Sequence, residues 1–238
     1  MPFSLADSAA MQTRLAPGFV AQTNLQLFDQ LEAAGCDAET LDRAARAYFL
    51  GLQLVDGQYR ASGKPFCNHL VGVASIVLQT GGTPEQVLAA LIHAAYASGD
   101  FGDAGRGATP EKRAVVREAI GEAAEAIVYD YDQRATTDDV RFLHLANELE
   151  DNIDRGGGYV PHYSPEVLRE MAAEAERLGH PMLARGLEEA ADAVGAVVPA
   201  PFRRFDAASS WEARSARDHA VGLLRRVRRK VLEKVRRQ

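Results

Sequence analysis

The sequence predicts an all-α chain, and three observations carry that prediction. Apolar residues recur at three- and four-residue spacing along almost every segment. The starts Thr83-Pro84-Glu85, Thr109-Pro110-Glu111 and Ser164-Pro165-Glu166 each place a capping side chain before a proline at the first helical position. No segment sustains the period-two alternation of β-branched residues that marks a strand. The composition, 47% hydrophobic and 25% charged over 238 residues, is that of an ordinary globular chain. It excludes disorder over most of the length and fibrous architectures. Four regions follow: an N-terminal helical extension at 1–37, a main helical domain at 38–195, a linker at 196–210 and a basic C-terminal helix at 211–238.

The first helix lies between Asn24, read as its N-cap, and Gly35, read as its C′ residue, with Leu25, Leu27, Phe28 and Leu31 on one face. A second spans about 40–55, where Leu41, Ala44, Tyr48, Leu52 and Val55 recur. A loop at 56–66 follows, and a helix around His69 runs to Gly81-Gly82. Thr83, Pro84 and Gln86 form a capping box for a helix that carries Val87, Leu88, Leu91, Ile92 and Ala95. A glycine-rich loop covers 99–107, and Thr109 then caps a helix reaching to about Tyr131. Thr137 caps another over 140–153, which Gly156-Gly157-Gly158 ends as a hinge. Two helices separated by Gly179 complete the domain as an antiparallel hairpin, for about seven to nine helices in all.

Several functional classes are excluded at this level. No stretch reaches the roughly 18 apolar residues of a membrane span, and the uncharged run from His69 is closed by Gly81-Gly82-Thr83-Pro84. The start Met1-Pro2-Phe3-Ser4 has neither the basic nor the apolar region of a signal peptide. Cys36 and Cys67 are too few for a disulfide framework, which points to a reducing, cytoplasmic setting with two ordinary thiols. The net charge of −6 conceals a split: residues 203–238 hold 12 Lys+Arg against 4 Asp+Glu, leaving 15 basic and 29 acidic residues elsewhere. An acidic body with a basic tail is not the profile of a general nucleic-acid binder. In the tail, Leu224, Val227, Val231 and Val235 form a thin stripe among arginines, with Trp211 upstream. Such a helix suits an anionic membrane surface, a partner protein or the acidic body of its own chain, with nucleic acid the least expected partner.

The segment from Asp56 to His69 is the most informative chemically. It sets a cationic loop, with Arg60 and Lys64, directly before a histidine at a helix start. His93 follows 24 residues later on an aliphatic helix, and Phe142-Leu143-His144-Leu145-Ala146-Asn147-Glu148 brings polar groups into a further apolar helix. Histidines on neighbouring helices can converge on one transition ion, since imidazole is a good ligand for it. The other histidines, His162, His180 and His219, lack companion spacing and read as exposed. Asp130-Tyr131-Asp132 and Asp138-Asp139 read as helix-end solvation and capping rather than a calcium loop.

The motif Gly57-Gln58-x-Arg60-x-Ser62-Gly63-x-Pro65-Phe66, followed by His69 and by His93 at the end of an Ala-Ala-Leu-Ile run, resembles the HD hydrolase domain of stringent-response (p)ppGpp synthetase/hydrolases. The resemblance covers about 41–154. It implies an all-helical HD-like bundle in which His69, His93 and Asn147 stand at metal-ligand positions, and Arg60 lies in the loop that packs on a guanine base. Three departures are plain. Ala94 follows His93 where the superfamily carries its aspartate, Ala97-Ser98 replaces an acidic pair, and Asn147 is an amide where a carboxylate is expected. A divalent ion would then lack an anionic ligand, and standard ppGpp hydrolysis is not expected. The run from His93 through Tyr96 to Asp100-Phe101, with Ile120-Gly121-Glu122 and Tyr129-Asp130-Tyr131, is more closely similar to a bacterial HD-like group of unknown function.

Three functions remain open at this point. One is a degenerate HD-like domain binding a nucleotide or other small polar or phosphorylated ligand around His69 and His93, with Arg60, Lys64 and Asp100 as ligand contacts. Another is a hydrolase or lyase, metal-dependent or metal-free, in which His93, Tyr96 and His144 act as acid–base groups. The third is a non-catalytic scaffold whose histidines complete buried hydrogen bonds. The cofactor is a divalent metal (Mn, Fe or Zn) on His69, His93 and Asn147, or none. The site is expected to be a pocket roofed by the loops at 57–64 and 99–107.

Overall fold

A computed structural model describes residues 20–60, 63–103, 105–153 and 163–194. The described chain is helical, in the order α1 (Asn24–Ala33), α2 (Ala38–Leu54), α3 (Phe66–Gln79), α4 (Pro84–Ala90), α5 (Ala95–Ser98), α6 (Pro110–Ile120), α7 (Glu122–Asp132), α8 (Asp138–Asn152), α9 (Pro165–Arg177) and α10 (Pro181–Ala193). The all-α prediction holds, and among the described residues the extended structure is limited to one bridge between Tyr59 and Pro65. No helix among them is long and apolar enough to cross a membrane. The linker at 196–210, the basic helix at 211–238, the glycine run at 156–158, His162 and His219 lie outside the described residues.

α3 is the centre of the bundle. Phe66 and every residue from His69 to Val77 are buried, which is what a helix apolar on all sides requires. It packs against α1, α2, α4 and α8, and a single apolar core runs from Ala21 through α3, α4 and α8 to Ala191. The hairpin α9–α10 closes the far side of α8. There Gly186 lies against Leu149, and the His180 ring stacks on Phe142 at 3.7 Å while its Nδ1 donates to the Thr80 carbonyl. The exposed reading of His180 is thereby corrected: the half-buried ring fastens the hairpin to the bundle.

The predicted caps are present. Thr83 and Gln86 exchange both bonds of a capping box, and Thr109, Thr137 and Ser164 each accept from a backbone N–H of the first turn. The cap of α1 is Thr23 rather than Asn24, again as a capping box, with Gln26. Gly179 turns the α9–α10 hairpin with φ of +83°.

Two helices read as continuous are broken. The helix expected from Thr109 to Tyr131 divides at Gly121, whose φ of +86° leaves the helical region. The Ile120 carbonyl is taken instead by the Arg43 guanidinium, through Nε at 3.0 Å and Nη2 at 2.5 Å. The helix expected to carry Val87 through Ala95 ends at Ala90. Ile92 N–H donates to Ala89 and Ala95 N–H to Ile92, so the chain tightens to three-residue turns, and the Ala90 carbonyl accepts from the His93 side chain.

Candidate functional site

Three pieces of chain assemble the site. The first is the hairpin at 58–66, closed by Arg60 N–H to the Lys64 carbonyl, Gly63 N–H to the Arg60 carbonyl and Phe66 N–H to the Gln58 carbonyl. Gly63, with φ of +83°, supplies the left-handed residue of its turn. The second is α3, which carries His69 one turn from its start. The third is the C-terminal part of α8, with Asn147, Glu148, Glu150 and Asp151.

His69 is fully buried and bonded on both sides. Its Nδ1 lies 2.5 Å from Glu150 Oε2, and its Nε2 lies 3.0 Å from Asn147 Oδ1. The amide is oriented by its own Nδ2–H, which donates to Glu148 Oε1 at 3.0 Å. Asn147 therefore turns an acceptor toward the imidazole. Glu150 reaches this position because residue 72, one turn along α3, is glycine: a Cβ there would collide with the Glu150 side chain.

His93 packs edge-on against His69, with ring centroids 5.5 Å apart, and its other side meets Tyr131 at 5.3 Å. Its Nδ1 donates to the Ala90 carbonyl at 2.8 Å, the bond freed by the break after α4. Burial, helped by the positive potential of His69, lowers its pKa to about 3, against a smaller upward pull from that carbonyl. His93 is thus a neutral imidazole with Nδ1 engaged, and Nε2 is the nitrogen left for a further partner. Tyr131 is held well above the usual phenol range, first by burial and then by the charge of Glu148.

The hairpin cations close the outer side. Arg60 forms a two-pronged pair with Asp151, with Nε 3.0 Å from Oδ1 and Nη2 on Oδ2, and Lys64 Nζ lies 2.5 Å from Glu150 Oε1. The two cationic side chains are 26% and 21% exposed, while the carboxylates of Asp151 and Glu150 are 10% and 0% exposed. Carboxylates and imidazoles line the interior, and the cations form the rim.

Two donor sets for a metal ion share His69. On its Nδ1 side, His69, Glu150 and Asp151 offer ligand atoms within 4.8 Å of one another. Those carboxylates already hold Lys64 and Arg60, and a dication there would have to compete with both. On the other side stand His69 Nε2 and Asn147 Oδ1, 3.0 Å apart, with the His93 ring packed edge-on against that of His69. Each imidazole has its Nδ1–H fixed, on a carboxylate in one case and a carbonyl in the other, which is how ligating histidines are oriented. This second set fits a borderline ion such as zinc or iron(II) better than magnesium, because its donors are neutral.

The structure therefore brings together His69, His93 and Asn147, and adds Arg60 and Lys64 at the rim. The described contacts of three other candidates lie elsewhere. Tyr96 is buried in a separate cluster, donating to Glu125 Oε1 at 2.8 Å, where the Arg113 guanidinium forks onto the same carboxylate. His144 lies on the exposed face of α8, its Nδ1 3.6 Å from Glu148. Asp100 accepts from Gly102 N–H within its own loop. That loop packs on Tyr96 through Phe101, and its Asp103 reaches Lys112, so its described contacts lie away from the imidazoles. The described residues of the 57–64 loop that reach the site are Arg60 and Lys64, through Asp151 and Glu150.

Sequence reasoning missed Glu150, Asp151, Glu148 and Tyr131. A signal existed for Glu150: it falls three residues after Asn147 and seven after Leu143, on the buried stripe of α8, where an acidic residue needs a partner. The HD resemblance would call for carboxylates at 94 and 147, where the chain has Ala94 and Asn147; Glu150 and Asp151 are acidic groups one turn beyond Asn147 on α8.

A family model for a domain of unknown function, DUF6817, matches residues 52–134, about a third of the chain. The matched segment includes Arg60, Lys64, His69, His93 and Tyr131 and stops before the α8 residues. No curated protein matches the chain.

Proposed function

We propose that this chain is a divergent HD-like domain that binds a small phosphorylated ligand, of the nucleotide class, beside His69 and His93 without the phosphohydrolysis of HD enzymes. The observation that carries the reading is the pair of rim cations. Asp151 and Glu150 orient Arg60 and Lys64 rather than consume them: the guanidinium fork leaves Nη1 and a second Nη2 hydrogen, and the ammonium leaves two of its three. A planar donor and a point charge, held side by side and partly exposed, suit a phosphate group. Hydrolysis is disfavoured by the inner residues. Ala94 and Asn147 supply no anionic ligand, and Glu150 and Asp151 are each bound to a cation, so neither is free as a general base.

Thermal shift and calorimetry with inorganic phosphate and nucleoside mono-, di- and triphosphates test this. A ligand at about 100 times its Kd stabilises the fold by about 2.7 kcal/mol, a readily measured shift. The shift is expected to vanish in Arg60→Ala and Lys64→Ala, with no product formed from the bound nucleotide. Turnover, or the absence of any phosphate-bearing ligand, overturns the reading.

The orientation of the histidines favours a second reading, a metal-dependent hydrolase or lyase. His69, His93 and Asn147 would hold the ion, which when bound would supply a Lewis acid. His69 and His93 would be fixed through Glu150 and the Ala90 carbonyl. Metal analysis of tag-free protein decides it: one equivalent of Mn, Fe or Zn, lost in His69→Ala, supports this reading, and no metal retires it.

A further inference from the structure

We propose that His69 Nδ1, Glu150 and Asp151 form a divalent-cation site that Lys64 and Arg60 hold closed: the two side-chain cations stand on the carboxylates an ion would need, and removing either one opens the site to Mn²⁺. This site lies on the Nδ1 side of His69, and its opening does not depend on phosphate binding.

The ring of His69 is set for a ligand at Nδ1. Nε2 lies 3.0 Å from the oxygen of Asn147, whose amide is fixed by Nδ2–H donating to Glu148. Nε2 therefore carries a proton, and Nδ1 is the nitrogen that can give its lone pair to an ion. Glu150 Oε2 and Asp151 Oδ1 lie 2.5 Å and 3.6 Å from Nδ1. An ion with bonds of about 2.1 Å spaces neighbouring donors by roughly 3 Å, and the two separations bracket that value. Three ligand atoms within 4.8 Å of one another, two of them anionic, suit an oxygen-seeking ion such as Mn²⁺. Its entry displaces the proton that bridges Nδ1 and Oε2, and that proton leaves to solvent.

The carboxylates outnumber the cations that answer them. Glu148, Glu150 and Asp151 fall within the last five residues of α8, where the helix dipole is negative and the last turn holds no basic residue. Against these three charges the hairpin supplies two, Lys64 on Glu150 and Arg60 on Asp151, while His144, 3.6 Å from Glu148, adds charge only when protonated. Lys64 and Arg60 are partly exposed and can turn out to water. Glu150 is fully buried, held by His69 and seated in the space that Gly72 leaves. An ion therefore competes with two rim side chains for fixed ligands. Removing one of those side chains frees a full carboxylate charge for the ion, and it leaves the metal-free state with an uncompensated anion. Both effects tighten ion binding.

The experiment uses the full chain, freed of metal, and follows free Mn²⁺ by its electron paramagnetic resonance signal during titration. Lys64→Met and Arg60→Met are each expected to bind Mn²⁺ about 10-fold or more tighter than the wild type. Adding Asp151→Asn to Lys64→Met should abolish the gain. The two single variants act on different carboxylates, so a folding defect in one leaves the other to decide. Mn²⁺ binding no tighter in either variant than in the wild type overturns the closed site. A gain that survives Asp151→Asn places the ion elsewhere and overturns this donor set. Phosphate binding is measured without metal, so failure here leaves that reading standing, and its failure leaves this site untouched.

Discussion

At the scale of single residues, the neutral state of His93 has a consequence for stability in the metal-free protein. Its folded pKa of about 3 lies below the ordinary value of 6.5, so the unfolded chain takes up this proton first as pH falls. The stability it secures is complete above about pH 6.5 and is lost as pH drops toward 3, at a slope of up to about 1.4 kcal/mol per pH unit. Denaturant unfolding at a series of pH values should show this slope in the wild type and a shallower one in His93→Gln. Equal slopes would mean that His93 is not buried as a neutral ring. Glu125 gives a second case. Burial works to raise its pKa, but hydrogen bonds from Arg113, Tyr96 and Arg117 outweigh burial and hold it below the usual range. Its contribution is therefore present above the ordinary carboxylate pKa and is lost in acid. Arg113→Ala removes the forked partner but leaves Tyr96 and Arg117 on Glu125, and should cost roughly 1.5–3 kcal/mol, measured by unfolding at neutral pH. His69 and His93 were legible in the sequence because polar residues interrupt aliphatic runs there, whereas Asn147 was singled out only by the resemblance. Glu125 was not, because an acidic residue in the first turn of a helix also reads as a favourable end charge.

At the scale of elements, the junction of α3 with α8 depends on one missing side chain. Gly72→Ala would push a methyl group into the volume occupied by Glu150, which is tied to both Lys64 and His69 and cannot swing away. Overpacking of this kind typically costs about 1–3 kcal/mol. The same substitution made on a Glu150→Ala background should cost much less, and the double-mutant cycle measures the difference. Additive effects would show that Gly72 serves some other purpose. The helix starts were legible because Thr-Pro and Ser-Pro pairs encode caps locally. The two breaks were not, since each depends on a distant or unusual acceptor arrangement. At Gly121 the guanidinium of Arg43 takes the carbonyl of Ile120, 77 residues further along the chain, which the helix gives up. At Ala90 a side chain replaces the backbone donor, and that replacement also fixes the ring of His93. A periodicity argument sees Val87, Leu88, Leu91, Ile92 and Ala95 continue through the second break, because the apolar face persists while the backbone bonding changes.

At the scale of the whole molecule, the segment matched by the family model is smaller than the unit that folds. Residues 52–134 contain α3 to α7, with His69, His93 and the hairpin cations. They lack α8, which supplies Asn147 and Glu150 to His69, Asp151 to Arg60, and Phe142, Leu143, Leu145 and Ala146 to the core. They also lack α1, whose Gln30 accepts from the buried Ser75 hydroxyl on α3, and most of α2, whose Arg43 caps the end of α6. In the fragment α3 would expose one of its buried sides and leave His69 without either ring partner, an unpaired polar group that burial penalises. The unit from 20 to 194 keeps all of these contacts, together with the α9–α10 hairpin that covers α8. The expectation is a single cooperative thermal transition for 20–194 and none for 52–134, followed by circular dichroism at 222 nm together with the near-ultraviolet signal of the tyrosines. A cooperative melt of the short fragment would show that α8 is an addition to a self-sufficient core rather than part of it. The candidate site, built half on α3 and half on α8, would then lie between two separately stable pieces.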